Sequence, residues 1–301
     1  MIKRTLFISN PCHVSTKFNQ LVLKNKKTGE EKQTPIEDIG FAVFEHEECT
    51  FSLQAINHLT VNNVAAIFCN EKHLPTSMIL NLESNDIQSQ LFAHQINATE
   101  PTKKKLWQQT IKYKIRNQSL LFEHLRKPNE FLKRCAENVK SGDTTNEEAK
   151  ASRFYWASLF EPLEFSRDRF GLPPNNLLNY GYAILRAGVA RALAGSGLLP
   201  TLGIHHHNKY NAYCLADDIM EPYRPFVDRL VHNIIHDTQD YAELTTDLKA
   251  RLLSVLTIDI CINDSTSPLM VGLSQTTASL AECFAGERKT IKYPEFLQSN
   301  L

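Results

Sequence analysis

The spacing of apolar and polar positions changes along the chain, and this change divides the sequence into two parts. Up to about residue 75, short β-prone apolar runs are separated by turn residues such as Lys27-Thr28-Gly29, a pattern that indicates strands. These runs are TLFI at 5–8, QLVL at 20–23, IGFAVF at 39–44 and VAAIFC at 64–69. The pattern predicts a small β domain over residues 1–75.

The remainder of the chain has a helical period. Residues 76–101 are polar and predict a linker with room for one short helix. Over residues 102–301 the apolar positions recur at helical spacing, with interruptions at Gly142, at Pro173-Pro174 and at Pro200. The sequence therefore predicts an α+β protein in which a small N-terminal β domain is followed by a larger, mostly α-helical catalytic domain.

Composition and charge narrow the function classes only slightly. The chain has 301 residues, 42% of them hydrophobic, which is enough to bury a sizeable core. Lysine plus arginine equal aspartate plus glutamate at 33 each, so net charge neither indicates nor excludes a polyanionic partner. The seven cysteines never form a CxxC pair, which argues against a disulfide framework or a cysteine-rich zinc module. Because no apolar run approaches a bilayer span and no signal-peptide core is present, we expect a soluble cytoplasmic protein with no membrane partner.

The strongest candidate chemistry lies in residues 202–222, LGIHHHNKYNAYCLADDIMEP. Three consecutive histidines precede three acids, Asp217, Asp218 and Glu221. Imidazole nitrogen and carboxylate oxygen together are ligands that divalent cations accept. Adjacent side chains cannot all converge on one ion, so we expect one ligand from the histidines. An extended or hairpin stretch over NKYNAYC would return the chain and place that histidine beside Glu221. Surface histidines before an ordinary helix start are the alternative.

A second carboxylate source is the segment EAKASRFYW at 148–156. On a helix, Glu148 shares one face with Ala151, Ser152 and Tyr155, and the two small residues allow another backbone to approach closely. Such a face suits a position that lines a cleft. In the alternative interpretation, Glu148 is only a first-turn acid of an ordinary helix after Asn146.

A rival histidine pair, His232 and His236, has the i, i+4 spacing of helical zinc ligands. Asn233 stands where a zinc-protease motif places its glutamate, so we favour a structural role for this pair.

A run of basic residues without a single acid covers 103–116, with Trp107 and Tyr113 interleaved. The basic residues are Lys103, Lys104, Lys105, Lys112, Lys114 and Arg116. A helix with this charge could follow a phosphate backbone, and its affinity would then depend on salt. A solvated basic helix face is the alternative, and the sequence leaves both open.

Taken together, these segments resemble the universal CRISPR-associated endonuclease, the integrase subunit of CRISPR spacer acquisition, in the form found with type II systems. Five short motifs occur in the family's order and cover most of the helical part, whereas the N-terminal region matches only in its β-rich character. The motifs are LWQQTIKYKIRNQ at 106–118, EAKASRFYW at 148–156, NNLLNYGYAILRAGVARAL at 175–193, GLLPTLGIHHHNKYNAYCLADDIMEPYRPFVD at 197–228 and SLAECFAGERKTIKYP at 279–294.

The resemblance implies three metal ligands. Glu148 takes the place of the glutamate in the family's E-x-x-A-(A/S)-x-x-Y pattern, and Glu221 that of the acid in its D-(L/I)-x-E-P-(F/Y)-R-P pattern. Aligning Gly203 with the glycine of the G-x-x-H pattern selects His206, and His205 is the competitor one residue away. The near-site residues implied by these motifs are His205, Asp218, Tyr155 and Arg224.

The resemblance also implies an activity and partners. The 3′-hydroxyl of a captured double-stranded DNA fragment attacks a phosphodiester of the CRISPR repeat, and DNA hydrolysis is the related reaction with water. Two carboxylates and one imidazole suit Mg²⁺ or Mn²⁺. Family members form homodimers, and two dimers flank a dimer of a smaller acquisition subunit in a heterohexamer. An exposed β edge in the N-terminal domain would be consistent with dimerisation there, and an edge covered within the fold is the alternative. A divalent-metal phosphoesterase with a small substrate and a non-catalytic DNA-binding scaffold stay open as alternatives.

Overall fold

A computed structural model of the chain describes residues 3–71, 73–81, 83, 85–238 and 240–297. It consists of two compact units, Met1–Asp86 and Ile87–Leu301. The first is rich in strands and the second is mostly helical, which confirms the predicted α+β class. Within the described residues, no helix is both long enough and apolar enough to cross a membrane.

The N-terminal unit is built from two sheets. Its elements are β1 (Arg4–Ile8), β2 (Cys12–Lys17), β3 (Gln20–Asn25), β4 (Glu31–Pro35), β5 (Ile39–Phe44), β6 (Thr50–Phe51), α1 (Leu53–Val61), β7 (Ala65–Cys69) and β8 (Pro75–Ile79). One sheet has the order β1-β5-β7-β8 and the other the order β4-β3-β2-β6. The core contains buried residues from both, such as Val14 and Leu21 from one sheet and Ile39 and Phe44 from the other.

The four apolar runs of the sequence are found in β1, β3, β5 and β7, but the polar strands between them were not predicted. Strand β4, EKQTP, is mostly exposed because it is a sheet edge, and an edge strand needs no apolar face. Strand β8 begins at Pro75, where the sequence placed the end of the domain. Since β8 pairs with β7, the unit extends to Asp86.

The C-terminal unit packs around one buried helix. Its elements are α2 (Gln88–Ile96), α3 (Glu100–His124), α4 (Glu130–Asn138), α5 (Glu147–Leu159), α6 (Asn175–Gly195), α7 (Cys214–Met220), α8 (Arg224–Asp237), α9 (Thr246–Leu253), β9 (Asp259–Ile262), β10 (Ser265–Pro268) and α10 (Leu269–Ala285). Helix α6 is buried along most of its length and contacts α7, α8, α9 and α10. The region read as a linker therefore contains α2 and the start of α3.

Local sequence features explain the start of helix α3 and the turn between β9 and β10. Helix α3 starts at Glu100 because the Thr99 hydroxyl accepts a hydrogen bond from the backbone of Thr102 and Pro101 fits the first turn. The hairpin β9–β10 was not predicted from the helical period. Asn263 and Asp264 form its turn with φ of 53° and 58°, the left-handed conformation that Asn and Asp tolerate.

Candidate metal centre

Two helices and a short turn bring the candidate carboxylates together. Glu148 is in the first turn of α5, and Glu221 begins the 3₁₀ turn Glu221–Tyr223 between α7 and α8. Helix α3 lies against both. The side chain of Asn117 on α3 donates hydrogen bonds to the carbonyl oxygens of Pro222, at 2.7 Å, and of Pro294, at 2.9 Å. This buried amide fixes the turn that carries Glu221 against α3.

Glu148 does not cap its own helix. The carboxylate of Asp143 accepts hydrogen bonds from the backbone N–H groups of Glu147, at 2.9 Å, and of Glu148, at 3.1 Å, and so serves the exposed start of α5. The Glu148 carboxylate is thereby free to point along the helix face, where Ser152 Oγ donates to its Oε1 at 3.3 Å. Glu148 is thus a first-turn acid of α5, but its carboxylate faces Lys114 and Ser152 and does not cap the helix.

Glu148 and Glu221 converge on one positive charge, the ammonium of Lys114. Lys114 Nζ lies 2.5 Å from Glu148 Oε1 and 2.7 Å from Glu221 Oε2. Glu221 Oε2 is buried, and the ammonium of Lys114 is its charged partner. On the other side, Arg224 Nε lies 2.9 Å from Glu221 Oε1. Glu221 is therefore buried between two cations.

These contacts keep the buried groups charged. Burial by itself lowers the pKa of Lys114, but the attraction of Glu221 and Glu148 outweighs it and raises that pKa above its ordinary value. Burial raises the pKa of Glu221, but Arg224 and Lys114 outweigh it and hold that pKa below its ordinary value. Glu221 is thus an anion at neutral pH although it is almost inaccessible to solvent.

The histidine segment folds around a second buried acid, Asp218. Its carboxylate accepts hydrogen bonds from the backbone N–H groups of Ile204, at 2.7 Å, of His205, at 3.0 Å, and of His206, at 3.3 Å. Gly203 is required at the start of this turn, because a Cβ there would lie 2.3 Å from the carbonyl oxygen of His206 and 2.8 Å from Asp218 Oδ2. The G-x-x-H pattern therefore requires glycine at this position for steric reasons.

The chain returns from the histidines to Glu221 by turns and not by a hairpin. No strand is assigned between residues 203 and 213, all of which the structure describes. The side chain of Asn208 accepts a hydrogen bond from the backbone of Tyr210, and that of Asn211 accepts one from Tyr213. Asparagine side chains that bond two residues ahead turn the backbone without a partner strand, so the expectation of an extended or hairpin return was wrong.

The two candidate histidines have different surroundings. His206 Nδ1 lies 2.5 Å from Asp218 Oδ1; since a carboxylate only accepts, Nδ1 carries a proton, and Nε2 offers a lone pair when the ring is neutral. This hydrogen bond also raises the pKa of His206. His205 stacks flat on Trp107, with ring centroids 4.1 Å apart, and burial lowers its pKa. The environment of His206 is that of a metal-binding histidine held by a carboxylate.

Tyr155 belongs to a buried cluster behind the carboxylates. Its hydroxyl donates to Asp228 Oδ2 at 2.8 Å, and the hydroxyl of Tyr182 donates to Asp228 Oδ1 at 2.5 Å. The cluster joins α5, α6 and α8, and Arg224 stacks over the ring of Tyr182 at 4.6 Å. Tyr155 and Asp228 thus fix the helices that carry Glu148 and Arg224, and Tyr155 contacts neither candidate carboxylate in the structure.

Asp228 predicts a pH-dependent stability. Burial raises its pKa from 3.8 to about 6, more than the two tyrosine hydroxyls lower it. A carboxyl whose folded pKa is raised stabilises the fold fully below pH 3.8, and this contribution is lost as pH rises through about 6. We expect the stability advantage of the wild type over Asp228→Asn to shrink by about 3 kcal/mol between acidic and neutral pH. Urea unfolding across this range measures it; an advantage that grows with pH would contradict the prediction.

The basic residues of α3 do not form one surface. Lys104, Lys105 and Arg116 are exposed, Lys103 and Lys112 are partly buried, and Lys114 is buried with 8% of its surface exposed. Lys103 lies 3.6 Å from Glu100, and Arg116 lies 3.2 Å from Glu295. The structure therefore separates Lys114 from the residues grouped with it as DNA contacts, because its ammonium faces carboxylates.

The rival pair His232 and His236 lies on α8. Their Nε2 atoms are 3.2 Å apart, and burial lowers the pKa of His232 to about 4. The two rings are each other's hydrogen-bond partners, an arrangement in keeping with the structural role that the sequence favoured.

The candidate donors match in chemical type the divalent cation that the sequence implies. Over the described ranges, no three His, Cys, Asp or Glu side chains are close enough to hold an ion as they stand. Two of the candidate donors, Glu148 and Glu221, do converge, with the ammonium of Lys114 between them. Two carboxylates that converge on one positive charge and a histidine oriented by Asp218 fit a hard divalent cation in donor type and charge. Glu148, Glu221 and His206 are the residues that would hold it.

Two site residues were missed as such by the sequence reasoning, Lys114 and Asn117. Lys114 recurs seven residues after Trp107 and three after Ile111, on the buried face of α3. A lysine in register with an apolar stripe is rarely buried unless an acid pairs with it. Helical periodicity thus predicts that Lys114 is buried. Grouping it with the other basic residues of the run led instead to its assignment as a DNA contact.

Comparison with known proteins places this chain in a family. A family described as "CRISPR associated protein Cas1" matches residues 6–254. A CRISPR-associated endonuclease Cas1 of Neisseria meningitidis is 32% identical, over 99% of this chain and 97% of its own length. Among solved structures, a casposase bound to integration product has a TM-score of 0.79 at 18% identity, covering 100% of this chain and 94% of that one. A chain of a Cas6-RT-Cas1–Cas2 complex has a TM-score of 0.71 at 19% identity, covering 96% of this chain and 36% of that one. The resemblance inferred from the motifs is confirmed: the chain belongs to the Cas1 family of CRISPR-associated endonucleases.

Proposed function

We propose that this protein is a metal-dependent DNA endonuclease and integrase of CRISPR adaptation. It joins the 3′-hydroxyl ends of a captured DNA fragment to the CRISPR repeat by transesterification, and hydrolyses DNA when water replaces the 3′-hydroxyl. The observation that carries the proposal is the convergence of Glu148 and Glu221 on the ammonium of Lys114, although they lie 73 positions apart in the chain.

The chemistry follows from where charge develops. When a 3′-hydroxyl attacks a phosphodiester, negative charge builds on the phosphoryl oxygens and on the leaving oxygen. A bound Mg²⁺ or Mn²⁺ supplies positive charge at those oxygens. The carboxylates of Glu148 and Glu221 and Nε2 of His206 provide the donor atoms that hold the ion. The partly buried guanidinium of Arg224, 2.9 Å from Glu221, keeps that carboxylate anionic and oriented. No covalent protein intermediate is required.

Asp218 orients the proposed histidine ligand, His206. It holds the proton on Nδ1 of His206, which leaves Nε2 as a donor of electrons to a metal. It also accepts three backbone N–H groups of the histidine turn and so fixes the turn itself. Its role is to position His206, and it does not need to contact the ion.

The relatives support the same reaction. The Neisseria relative is an endonuclease, the casposase was solved with an integration product, and the Cas6-RT-Cas1–Cas2 complex contains Cas2. We therefore propose double-stranded DNA and Cas2 as partners of this chain. The exposed basic residues of α3, Lys104, Lys105 and Arg116, are proposed to contact DNA together with the partly buried Lys103 and Lys112.

A homodimer, and a heterohexamer with the smaller subunit, are part of the same proposal. Strands β1, β4, β6 and β8 are sheet edges of the N-terminal unit, and unpaired edges are available for pairing between copies.

A strand-transfer assay tests the proposed function. A labelled duplex with 3′-hydroxyl ends and a supercoiled plasmid carrying the CRISPR repeat are incubated with the protein, Cas2 and Mn²⁺. We expect joined products with the 3′-hydroxyl duplex, none with a 3′-dideoxy duplex and none in EDTA. Hydrolysis of a small ester such as bis-p-nitrophenyl phosphate with no joining would contradict the proposal and favour a phosphoesterase; DNA binding without joining or cleavage would favour a scaffold.

A further inference from the structure

The buried lysine of α3 has a contact pattern that a DNA-binding lysine does not need. Lys114 is 8% exposed, and its ammonium lies within 2.7 Å of one oxygen of Glu148 and one of Glu221. These two acids come from α5 and from the turn before α8, so Lys114 is the group that links the two elements through charge. Burying an ammonium is unfavourable unless such partners compensate it.

The ammonium of Lys114 lies where a metal ion bound by both Glu148 and Glu221 would lie. Glu148 Oε1 and Glu221 Oε2 both contact the same Nζ atom. The distance between these two oxygens therefore cannot exceed the sum of their distances to Nζ. Mg²⁺ holds its oxygen ligands at about 2.0–2.1 Å. The Lys114 ammonium, with carboxylate oxygens at 2.5 and 2.7 Å, therefore occupies the space that a metal ion would take, at slightly longer distances from the oxygens. A cation and an ammonium cannot both occupy it.

Without Lys114, Glu148 and Glu221 would face each other with less positive charge nearby. Arg224 contacts the other oxygen of Glu221, and Ser152 is a neutral donor to Glu148. Two carboxylates at this separation repel each other, and burial strengthens the repulsion because water no longer screens it. The ammonium removes this repulsion.

We propose that Lys114 is a positioning residue that holds Glu148 and Glu221 together in the metal-free protein and competes with the metal ion for the same two oxygens. The inference rests on the proposed function of these carboxylates as metal ligands. Metal binding then requires the ammonium to leave its place between them, so Lys114 stabilises the metal-free site and weakens the affinity of the ion.

The variant Lys114→Met tests this, because methionine keeps most of the length of the side chain and removes its charge. We expect Mn²⁺ to bind at least about 10-fold more tightly than to the wild type, since the competing charge is lost from a poorly screened site. Free Mn²⁺ measured by electron paramagnetic resonance gives the affinity. We also expect a lower Tm without metal and a larger rise in Tm on adding Mn²⁺. A merely structural lysine would give equal or weaker binding.

Lys150→Met is the matched control. Lys150 also pairs with a glutamate, Glu147, at 2.8 Å on the same helix as Glu148, but it does not touch a candidate ligand. We expect it to leave the Mn²⁺ affinity unchanged. If Lys114→Met binds Mn²⁺ no more tightly than the wild type, the inference is overturned.

A footprint on the wild type covers the case in which Lys114→Met does not fold. Acetylation by N-acetoxysuccinimide, mapped by mass spectrometry, is expected to be slow at Lys114 without metal and at least severalfold faster with Mg²⁺, while Lys150 reacts equally in both. Protection of Lys114 that persists with Mg²⁺ bound overturns the inference. If the wild type binds Mn²⁺ and Glu148→Gln removes the binding, the proposed ligands stand whatever Lys114 does; if Glu148→Gln leaves binding intact, the proposed function fails as well.

Discussion

Replacing Glu148 with glutamine is expected to lower the rate of strand transfer by at least about 100-fold while DNA binding is largely kept. Glutamine has nearly the shape of glutamate but no charge, so it cannot supply an anionic ligand. The side chain of Glu148 is 34% exposed, and the substitution should therefore leave the fold intact. Joining of labelled 3′-hydroxyl duplex to repeat DNA gives the rate, and an electrophoretic mobility shift gives the DNA affinity.

The variant Glu221→Gln should lose strand transfer to the same extent, but with a cost in stability. Glu221 is buried between Lys114 and Arg224, and removing its charge leaves these cations with fewer anions. Breaking such buried pairs costs about 3–5 kcal/mol, so we expect a lower Tm in addition to the lost activity. Glu148→Gln separates the two effects because its stability should change less.

Glu147→Gln is the control for both. Glu147 is adjacent to Glu148 on α5, but its carboxylate contacts Lys150 and not Lys114. We expect strand transfer within a few-fold of the wild type. Equal losses in Glu147→Gln and Glu148→Gln would indicate a general disturbance of α5 and would contradict the assignment of Glu148.

His206→Ala is expected to lower strand transfer by at least about 100-fold, and His205→Ala by less than about 10-fold. His206 has its Nδ1 proton held by Asp218 and its Nε2 free for a metal, whereas the ring of His205 stacks on Trp107. Removing His205 takes away one side of this stack and exposes part of the Trp107 ring, which affects packing more than chemistry.

The pair of variants decides between the two registers of the G-x-x-H pattern. Strand transfer and Mn²⁺ affinity should be measured for both, since a ligand affects both quantities. Should His205→Ala lose Mn²⁺ binding while His206→Ala keeps it, the ligand would be His205. The variant Asp218→Asn should resemble a milder His206→Ala, because it disturbs the ring's orientation without removing it.

The sequence predicted much of the fold because local patterns carry it. The apolar runs of β1, β3, β5 and β7 and the helical spacing after residue 102 reflect side-chain periodicity, which any single segment displays. Strand β4 and hairpin β9–β10 were missed because their residues are polar or mixed, and their pairing depends on neighbouring strands. The motifs likewise identified the candidate donors, whose assignment as ligands stays a prediction.

Residue identity and motif order, readable from the chain alone, placed it in its family and named Glu148, His206 and Glu221 as candidates. Only the folded molecule revealed that the charge between the two carboxylates belongs to Lys114, that Asp143 replaces Glu148 as the helix cap, and that Asp218 orients His206. These contacts join residues that are separated along the chain, and their energies depend on burial and on distances of a few ångströms. Neither quantity exists before α3, α5 and the turn at Glu221 are packed together.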